Sequence, residues 1–397
     1  MVMGRRPLKI FFVAAEPSGD WQAGELARRV VACGVPVELY GVGGPCLEAA
    51  GAKLWMNTQG VSCIGPADAL GRITYYFYTF YRLQAYMKEL CPDITVMLDS
   101  PALNLRMAKF LRRESLRSFY YIPPSAWTKD AKRLHQIHAL VDGVGCIFSL
   151  NASRYRELGL PVAFFGHPIV DLYADNGVSA EEARLRIGAK GRVLAVLPGS
   201  RRQEVVNLLP QFTDMAEMIL AEDSEAEVFI PCATEPLLAY TKKFLGDSHP
   251  RFRVVLGQTR TILQAARLAL TASGSATLEA TMCGVPMAIC YRFGLLNEII
   301  GRILRALGFL QYGHMGLPNL LLNRRAIPEF LQEEVCPELM MPLLLDLWRD
   351  TPCREQMIAD LKAAQANLGQ PGMLEKMAGV VVDMALGKSL VEALGNR

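Results

Sequence analysis

No two of the ten cysteines stand as a C-x-x-C pair: Cys33, Cys46, Cys63, Cys91, Cys146, Cys232, Cys283, Cys290, Cys336 and Cys353 are scattered, most in apolar surroundings. Such spacing speaks against metal ribbons and disulfide frameworks, and reads as small core residues in a reducing cytosol. Also missing is any run of the roughly 18 uncharged apolar residues that crosses a bilayer, which implies a soluble or peripheral protein. Charge of one sign is scarce: 42 Lys and Arg against 39 Asp and Glu leave a net +3, too thin a field to make nucleic acid the default partner. Neither G-x-x-x-x-G-K-[ST] nor G-x-G-x-x-G occurs, which counts against nucleotide triphosphate hydrolysis and dinucleotide redox chemistry. The opening MVMGRRPLKIFFVAAEPSGD has basic residues before an apolar run, but Lys9 interrupts that run and Glu16-Pro17-Ser18-Gly19-Asp20 closes it. It reads as a buried strand and its turn rather than a signal peptide. Repeats and low-complexity segments are absent.

What is present is a core. Apolar residues make up 51% of 397 and charged residues 20%, enough for two large lobes. Short apolar runs alternate with helix-period stretches, and the spacing predicts strands over 10–14, 37–42, 94–98, 118–122, 145–148, 162–165, 193–197, 227–231, 252–256, 268–271 and 287–291. Helices are expected between them, over 23–32 and 103–113 among others. Strands too apolar to carry a solvent face imply parallel sheets covered by helices on both sides, hence an α/β chain of two doubly wound Rossmann-like lobes. The polar stretch 171–191 is the best boundary. We expect an amino lobe over 1–172, a carboxy lobe over 173–345, and a helical tail over 346–397 without strands beyond Glu329, packing back on a lobe or on a partner subunit.

In open α/β sheets ligands sit beyond the carboxyl ends of the strands. Four turns there carry polar residues: Glu16 to Asp20; Asp99 to Asn104; Leu197-Pro198-Gly199-Ser200-Arg201-Arg202-Gln203-Glu204; and Ala272-Ser273-Gly274-Ser275-Ala276-Thr277-Leu278-Glu279. Asp99 ends an apolar strand, where a carboxylate facing a cleft suits general-base work and one facing a helix is a cap. The Arg pair before a helix suits a diphosphate. The small-residue turn at 273–276 offers amides to phosphate, with Glu279 one turn in to reach ribose hydroxyls.

With these turns, the sequence resembles the lipid-A-disaccharide synthase family of bacterial glycosyltransferases. The likeness runs through Ala15 to Asp20, Asp99-Ser100-Pro101 with Asn104, Tyr121 to Trp127, Gly166-His167-Pro168-Ile169-Val170-Asp171, Leu197 to Glu204, Ser273 to Glu279 with Gly284-Val285-Pro286, Tyr291-Arg292, and Leu317-Pro318-Asn319. Asp68, and Thr128-Lys129 after Trp127, depart from the family pattern. The resemblance implies a two-lobed type-B glycosyltransferase with no metal and no cofactor. Its amino lobe takes the lipid acceptor and its carboxy lobe the UDP-sugar. The reaction implied is transfer of 2,3-diacylglucosamine from UDP to the 6-hydroxyl of 2,3-diacylglucosamine 1-phosphate, with inversion, at the cytoplasmic face of the inner membrane.

The expected base is Asp99, followed by Glu16 and Asp68. Arg201, Arg202, Ser273, Gly274, Ser275, Thr277, Glu279 and Asn319 are expected at the donor, and Ser18, Asp20, Asn104, Ser125, Trp127 and His167 at the acceptor. Six aromatics fall within the seven residues 75–81. Leu70, Ile73, Tyr76, Phe77 and Phe80 are expected to face the membrane, with Arg72 and Arg82 flanking them. A homodimer through the tail is the expected self-association. Two alternatives stand beside this: another type-B UDP-sugar enzyme, such as a UDP-N-acetylglucosamine transferase or 2-epimerase, and a non-catalytic lipid-binding homologue. A purely structural protein leaves the polar strand-end turns unexplained.

Overall fold

The computed structural model describes residues 6–58, 73–124, 130–174, 178–246, 250–292 and 316–395, apart from the side chains of residues 17, 18, 73–77 and 102. The chain divides into two compact units, residues 1–171 with 369–397, and residues 172–368. The stretch 346–397, expected as one tail, is split between them.

In the first unit β1 (Leu8–Ala14), β2 (Val37–Gly43), β3 (Lys53–Asn57), β4 (Ile94–Leu98), β5 (Ser118–Tyr121), β6 (Gly143–Cys146) and β7 (Ala163–Phe164) form one parallel sheet in the order β3-β2-β1-β4-β5-β6-β7. The alternation of side chains sends Ile10, Phe12 and Ala14 into one layer of core and Phe11 and Val13 into the other. Both layers are apolar, so the central strands have no wet face. The helix Met373–Ala385 covers the first layer, burying Met373, Leu374, Met377, Val380, Val381 and Met384 against β4, β7 and the helix Pro17–Ala32. Each such side chain contributes about 1.5–3 kcal/mol of burial, so the end of the chain is part of this core. The apolar side of the tail is therefore covered by its own first unit.

In the second unit β8 (Val193–Leu197), β9 (Glu227–Cys232), β10 (Phe252–Leu256), β11 (Ala266–Ala272), β12 (Met287–Tyr291) and β13 (Glu329–Leu331) form a second parallel sheet, in the order β10-β9-β8-β11-β12-β13. Two edge strands, β3 and β13, were not expected. Both are short and half-buried rather than apolar throughout, with Lys53 at the head of β3 and Glu329 at the head of β13, so neither reads as a buried run. β6 also begins earlier than expected, at Gly143, and Phe148 serves instead as the N-cap of the helix Ser149–Glu157. Among the described residues no helix is long and apolar enough to cross a membrane.

Candidate active site

Each sheet order reverses once, between β1 and β4 in the first unit and between β8 and β11 in the second. A doubly wound sheet opens its ligand crevice at such a switch point, because the connections leave there in opposite directions. In the first unit Ala14 pairs with Leu98, so the turns at Glu16 and Asp99 leave the sheet side by side. In the second Leu197 pairs with Thr271, which sets the Pro-Gly-Ser-Arg turn beside Ser273 and Gly274.

At the first switch point Asp99 is half-buried and left-handed, with φ +52°, and Ser100 follows at φ +36°. Two consecutive non-glycine residues in that region are costly unless the surroundings hold them. Here they are held. The buried Asn104 donates Nδ2 to the carbonyls of Leu98 at 2.8 Å and Asp99 at 2.6 Å, and the Tyr120 hydroxyl donates to the Asp99 carbonyl at 2.9 Å. Both lone pairs of that carbonyl are thus engaged. Burial, and then the negative charge of Asp99, push the Tyr120 hydroxyl up from its ordinary range, so it stays a protonated donor. A Cβ added at Gly19 would lie 3.8 Å from the Cβ of Asp99, in ordinary packing contact, so the two turns pass close to one another.

Several residues expected at the acceptor have other work. Asp20 is buried, and its carboxylate accepts from the amides of Gly44 at 2.7 Å, Cys46 at 3.0 Å and Leu47 at 3.1 Å, tying down the turn after β2. Asn104 braces Asp99. His167 is buried against Phe148, and its Nδ1 accepts from the Ile169 amide at 3.1 Å; burial pushes its pKa down to about 3, so the ring is neutral. The Asp171 that ends the same motif caps the helix Met373–Ala385, accepting from Gly372 at 2.5 Å, Met373 at 3.3 Å and Leu374 at 2.7 Å. Glu16 is exposed at the N-cap of Pro17–Ala32, and Ser18 lies in that helix's first turn. Asp68, Leu70, Ser125 and Trp127 lie outside the described residues, as do the side chains of Ser18, Ile73, Tyr76 and Phe77.

Phe80, expected to face the membrane, is half-buried against the layer containing Phe11 and Met87. The helix Ile73–Leu90 instead exposes Tyr78 and Tyr81, at 63% and 72%, and the Arg82 guanidinium lies 5.9 Å from the Tyr78 ring centroid.

At the second switch point Gly274 adopts φ +150° before the helix Ser275–Met282, and open space surrounds the position of its missing Cβ. Ser275 is exposed and Ser273 half-buried, so the helix start is accessible to an anion. Thr277, expected at the donor, is fully buried and gives its hydroxyl to the Gly274 carbonyl at 2.7 Å, shaping the turn. Asn319 is buried too. It donates to the carbonyl of Ile327 and the carboxylate of Glu329, and accepts from the amides of Ala326 and Ile327, so all its capacity goes to the loop before β13.

In the turn after β8 the Glu204 carboxylate accepts from the amides of Ser200 at 3.0 Å and Arg201 at 3.2 Å. The Arg201 side chain is 77% exposed and pairs with Glu204 at 3.2 Å, a bond that an incoming anion displaces at small cost. Arg202 is exposed as well. Glu279 is largely buried. Its Oε2 accepts from the Tyr173 hydroxyl at 3.2 Å, and burial pushes its pKa up. The Arg260 guanidinium lies 4.3 Å from the Tyr173 ring centroid and donates to the Leu172 carbonyl at 2.6 Å. Tyr120, Tyr173 and Arg260 were not singled out from the sequence; for the tyrosines the signal was a polar hydroxyl on an otherwise core-type side chain, which needs a partner once buried.

Two parallel-sheet units, each with its polar turns at the sheet's switch point, make this a type-B glycosyltransferase architecture. Solved structures with that fold include a Staphylococcus aureus MnaA–UDP complex (TM-score 0.63, 12% identity, covering 96% of this chain and 98% of that one). The kitacinnamycin glycosyltransferase is another (TM-score 0.60, 16% identity, covering 96% and 100%). The family model described as lipid-A-disaccharide synthetase matches residues 10–368. The lipid-A-disaccharide synthase of Myxococcus xanthus is 32% identical over 380 residues, 95% of this chain and 98% of that one. That of Pseudomonas aeruginosa PAO1 is 34% identical over 348 residues, covering 86% and 90%. The chain belongs to the lipid-A-disaccharide synthase family, and is by that membership a glycosyltransferase.

Proposed function

We propose that Asp99 is the general base of an inverting transfer from UDP-2,3-diacylglucosamine to 2,3-diacylglucosamine 1-phosphate. The acceptor 6-hydroxyl oxygen attacks the anomeric carbon, its proton passes to the Asp99 carboxylate, and the bond to UDP breaks on the opposite face. The β-1',6 disaccharide 1-phosphate and UDP result. The observation that carries this reading is the place of Asp99 at the β1–β4 switch point, in a left-handed conformation braced by two buried donors. Backbone strain held in place at a strand end is a common mark of a working residue. Glu16, exposed in the neighbouring turn, is the second candidate and Asp68 the third.

Departing UDP gathers negative charge. Arg201, Arg202 and the amides at the start of Ser275–Met282 are placed to receive it, where fixed donors lower a barrier without reorganising. Glu279 accepts the ribose hydroxyls. The lipid substrates reside in a bilayer, and Tyr78 and Tyr81 with Arg82 suit an interface where rings meet acyl chains and a cation meets head groups. These features support a peripheral enzyme on the cytoplasmic face of the inner membrane. Self-association through the tail would use the exposed Val391, since the apolar side of Met373–Ala385 is buried in its own unit.

Incubation with both diacyl substrates and mass detection of the disaccharide product tests the reaction. Disaccharide and UDP in equal amounts support it. Binding of both substrates with no product makes the chain a lipid-binding homologue, and release of a free sugar or an epimer overturns the assignment.

A further inference from the structure

The short helix Ile169–Ala174 carries the chain from the first unit, which ends at Asp171, into the second, which begins at Leu172. Its first two residues in the second unit are secured by side chains of that same unit. The Leu172 carbonyl accepts from Arg260 at 2.6 Å, the Tyr173 ring stacks beneath the same guanidinium at 4.3 Å, and the Tyr173 hydroxyl donates to Glu279 Oε2 at 3.2 Å. Glu279 sits one turn into the helix that opens at Gly274, whose start is the anion-accessible end. Sequence places Tyr173 more than a hundred residues before Glu279, and no strand-end motif includes it.

A carboxylate that is to accept two vicinal hydroxyls must be ionised and fixed in one rotamer before the ligand arrives, because ordering it on binding subtracts from affinity. Tyr173 supplies both conditions. Its hydroxyl fixes one carboxylate oxygen and leaves Oε1 as the acceptor for a diol. A hydrogen bond to the ionised form also opposes the burial that favours the protonated acid. Arg260 acts on both: its charge favours ionised Glu279, and its stacking holds the Tyr173 ring. Among the described residues the remaining titratable neighbour is Cys283, pushed up to about 12 by burial first and Glu279 second, so it is a neutral thiol.

We propose that Tyr173 is a positioning residue for Glu279, through which the donor site reads the diol of the nucleoside ribose. The proposal rests on the reading of Glu279 as the ribose ligand, and the test separates the two. Calorimetric titration compares UDP with 2',3'-dideoxy-UDP on the full chain as wild type, Glu279→Gln, Tyr173→Phe and the double variant. Phenylalanine keeps the ring under Arg260 and removes only the hydroxyl, so folding is retained, and circular dichroism checks this.

The expected result is a fivefold to tenfold loss of UDP affinity in Tyr173→Phe, with dideoxy-UDP affinity unchanged, and no further loss when Tyr173→Phe is added to Glu279→Gln. UDP affinity in Tyr173→Phe should also begin to fall at a higher pH than in wild type, as Glu279 loses a bond to its ionised form. If Glu279→Gln weakens UDP while Tyr173→Phe does not, the positioning role is overturned and the ribose reading stands. Equal losses for UDP and dideoxy-UDP in Tyr173→Phe overturn it also. If Glu279→Gln leaves UDP affinity unchanged, the ribose reading itself fails, and the proposal with it.

Discussion

The hydroxyl of Tyr120, on β5, donates to the carbonyl of Asp99 at the end of β4 at 2.9 Å, sharing that oxygen with Asn104. The bond acts on the backbone, so it fixes where the carboxylate of Asp99 stands without touching it.

Tyr120→Phe removes one of two donors to a half-buried carbonyl, at a cost of about 0.5–1.5 kcal/mol. We expect a modest fall in Tm and a several-fold fall in kcat, with UDP affinity kept. Thermal melts and single-turnover rates check this; an unchanged kcat would mean that Asn104 alone sets the turn.

Asp171→Ala strips the cap from Met373–Ala385 and leaves three amides without their carboxylate. A lost cap costs about 1 kcal/mol and loss of several charge-assisted bonds more, so stability should fall by about 2–3 kcal/mol. Amide exchange should accelerate first in residues 373–385, while UDP binding survives. Uniform exchange across the first unit would contradict a local cap.

These two cases show what the sequence could and could not reveal. The apolar runs predict most of the strands, because a strand buried on both faces has one composition. The four polar turns follow β1, β4, β8 and β11, the strands that flank the two switch points. Which of those residues meet ligand was not legible. Asp20, Asn104 and Asn319 are polar residues in the right turns, yet Asp20 is taken up by backbone amides, Asn104 gives its Nδ2 to two backbone carbonyls, and Asn319 is taken up by the loop before β13. The edge strands β3 and β13 were hidden because each is short, half-buried and headed by a charged residue, and the first-unit address of the last helices because it depends on strands far away in sequence.

His167 gives a pH dependence. Its folded pKa near 3 lies below the ordinary 6.5, so the unfolded chain binds the proton first. This contribution is fully present above pH 6.5 and drains away as pH falls from there toward 3. In His167→Asn, whose side-chain oxygen still accepts from Ile169, urea midpoints should change less between pH 7.5 and 5 than in wild type. Equal slopes would show that His167 titrates normally.

Replacing Tyr78 and Tyr81 by serine should release the protein from anionic liposomes in flotation and raise the apparent KM for the lipid acceptor. Both side chains are largely exposed, so melting temperature and UDP affinity should hold. Unchanged flotation would move the docking surface elsewhere.

If Arg201, Arg202 and the helix-start amides take the leaving diphosphate, as proposed, turnover after EDTA treatment should equal that of untreated enzyme. Lost turnover restored by a divalent cation would contradict that assignment.

Asp99→Asn tests the central claim most directly. Asparagine tolerates the left-handed region, and the braces from Asn104 and Tyr120 fall on the backbone carbonyl, so the turn is kept while the base is removed. Turnover should drop by about two or more orders of magnitude, the usual share of a positioned general base, with UDP affinity and melting temperature close to wild type. Near-wild-type turnover would contradict the account and move the role to Glu16 or Asp68.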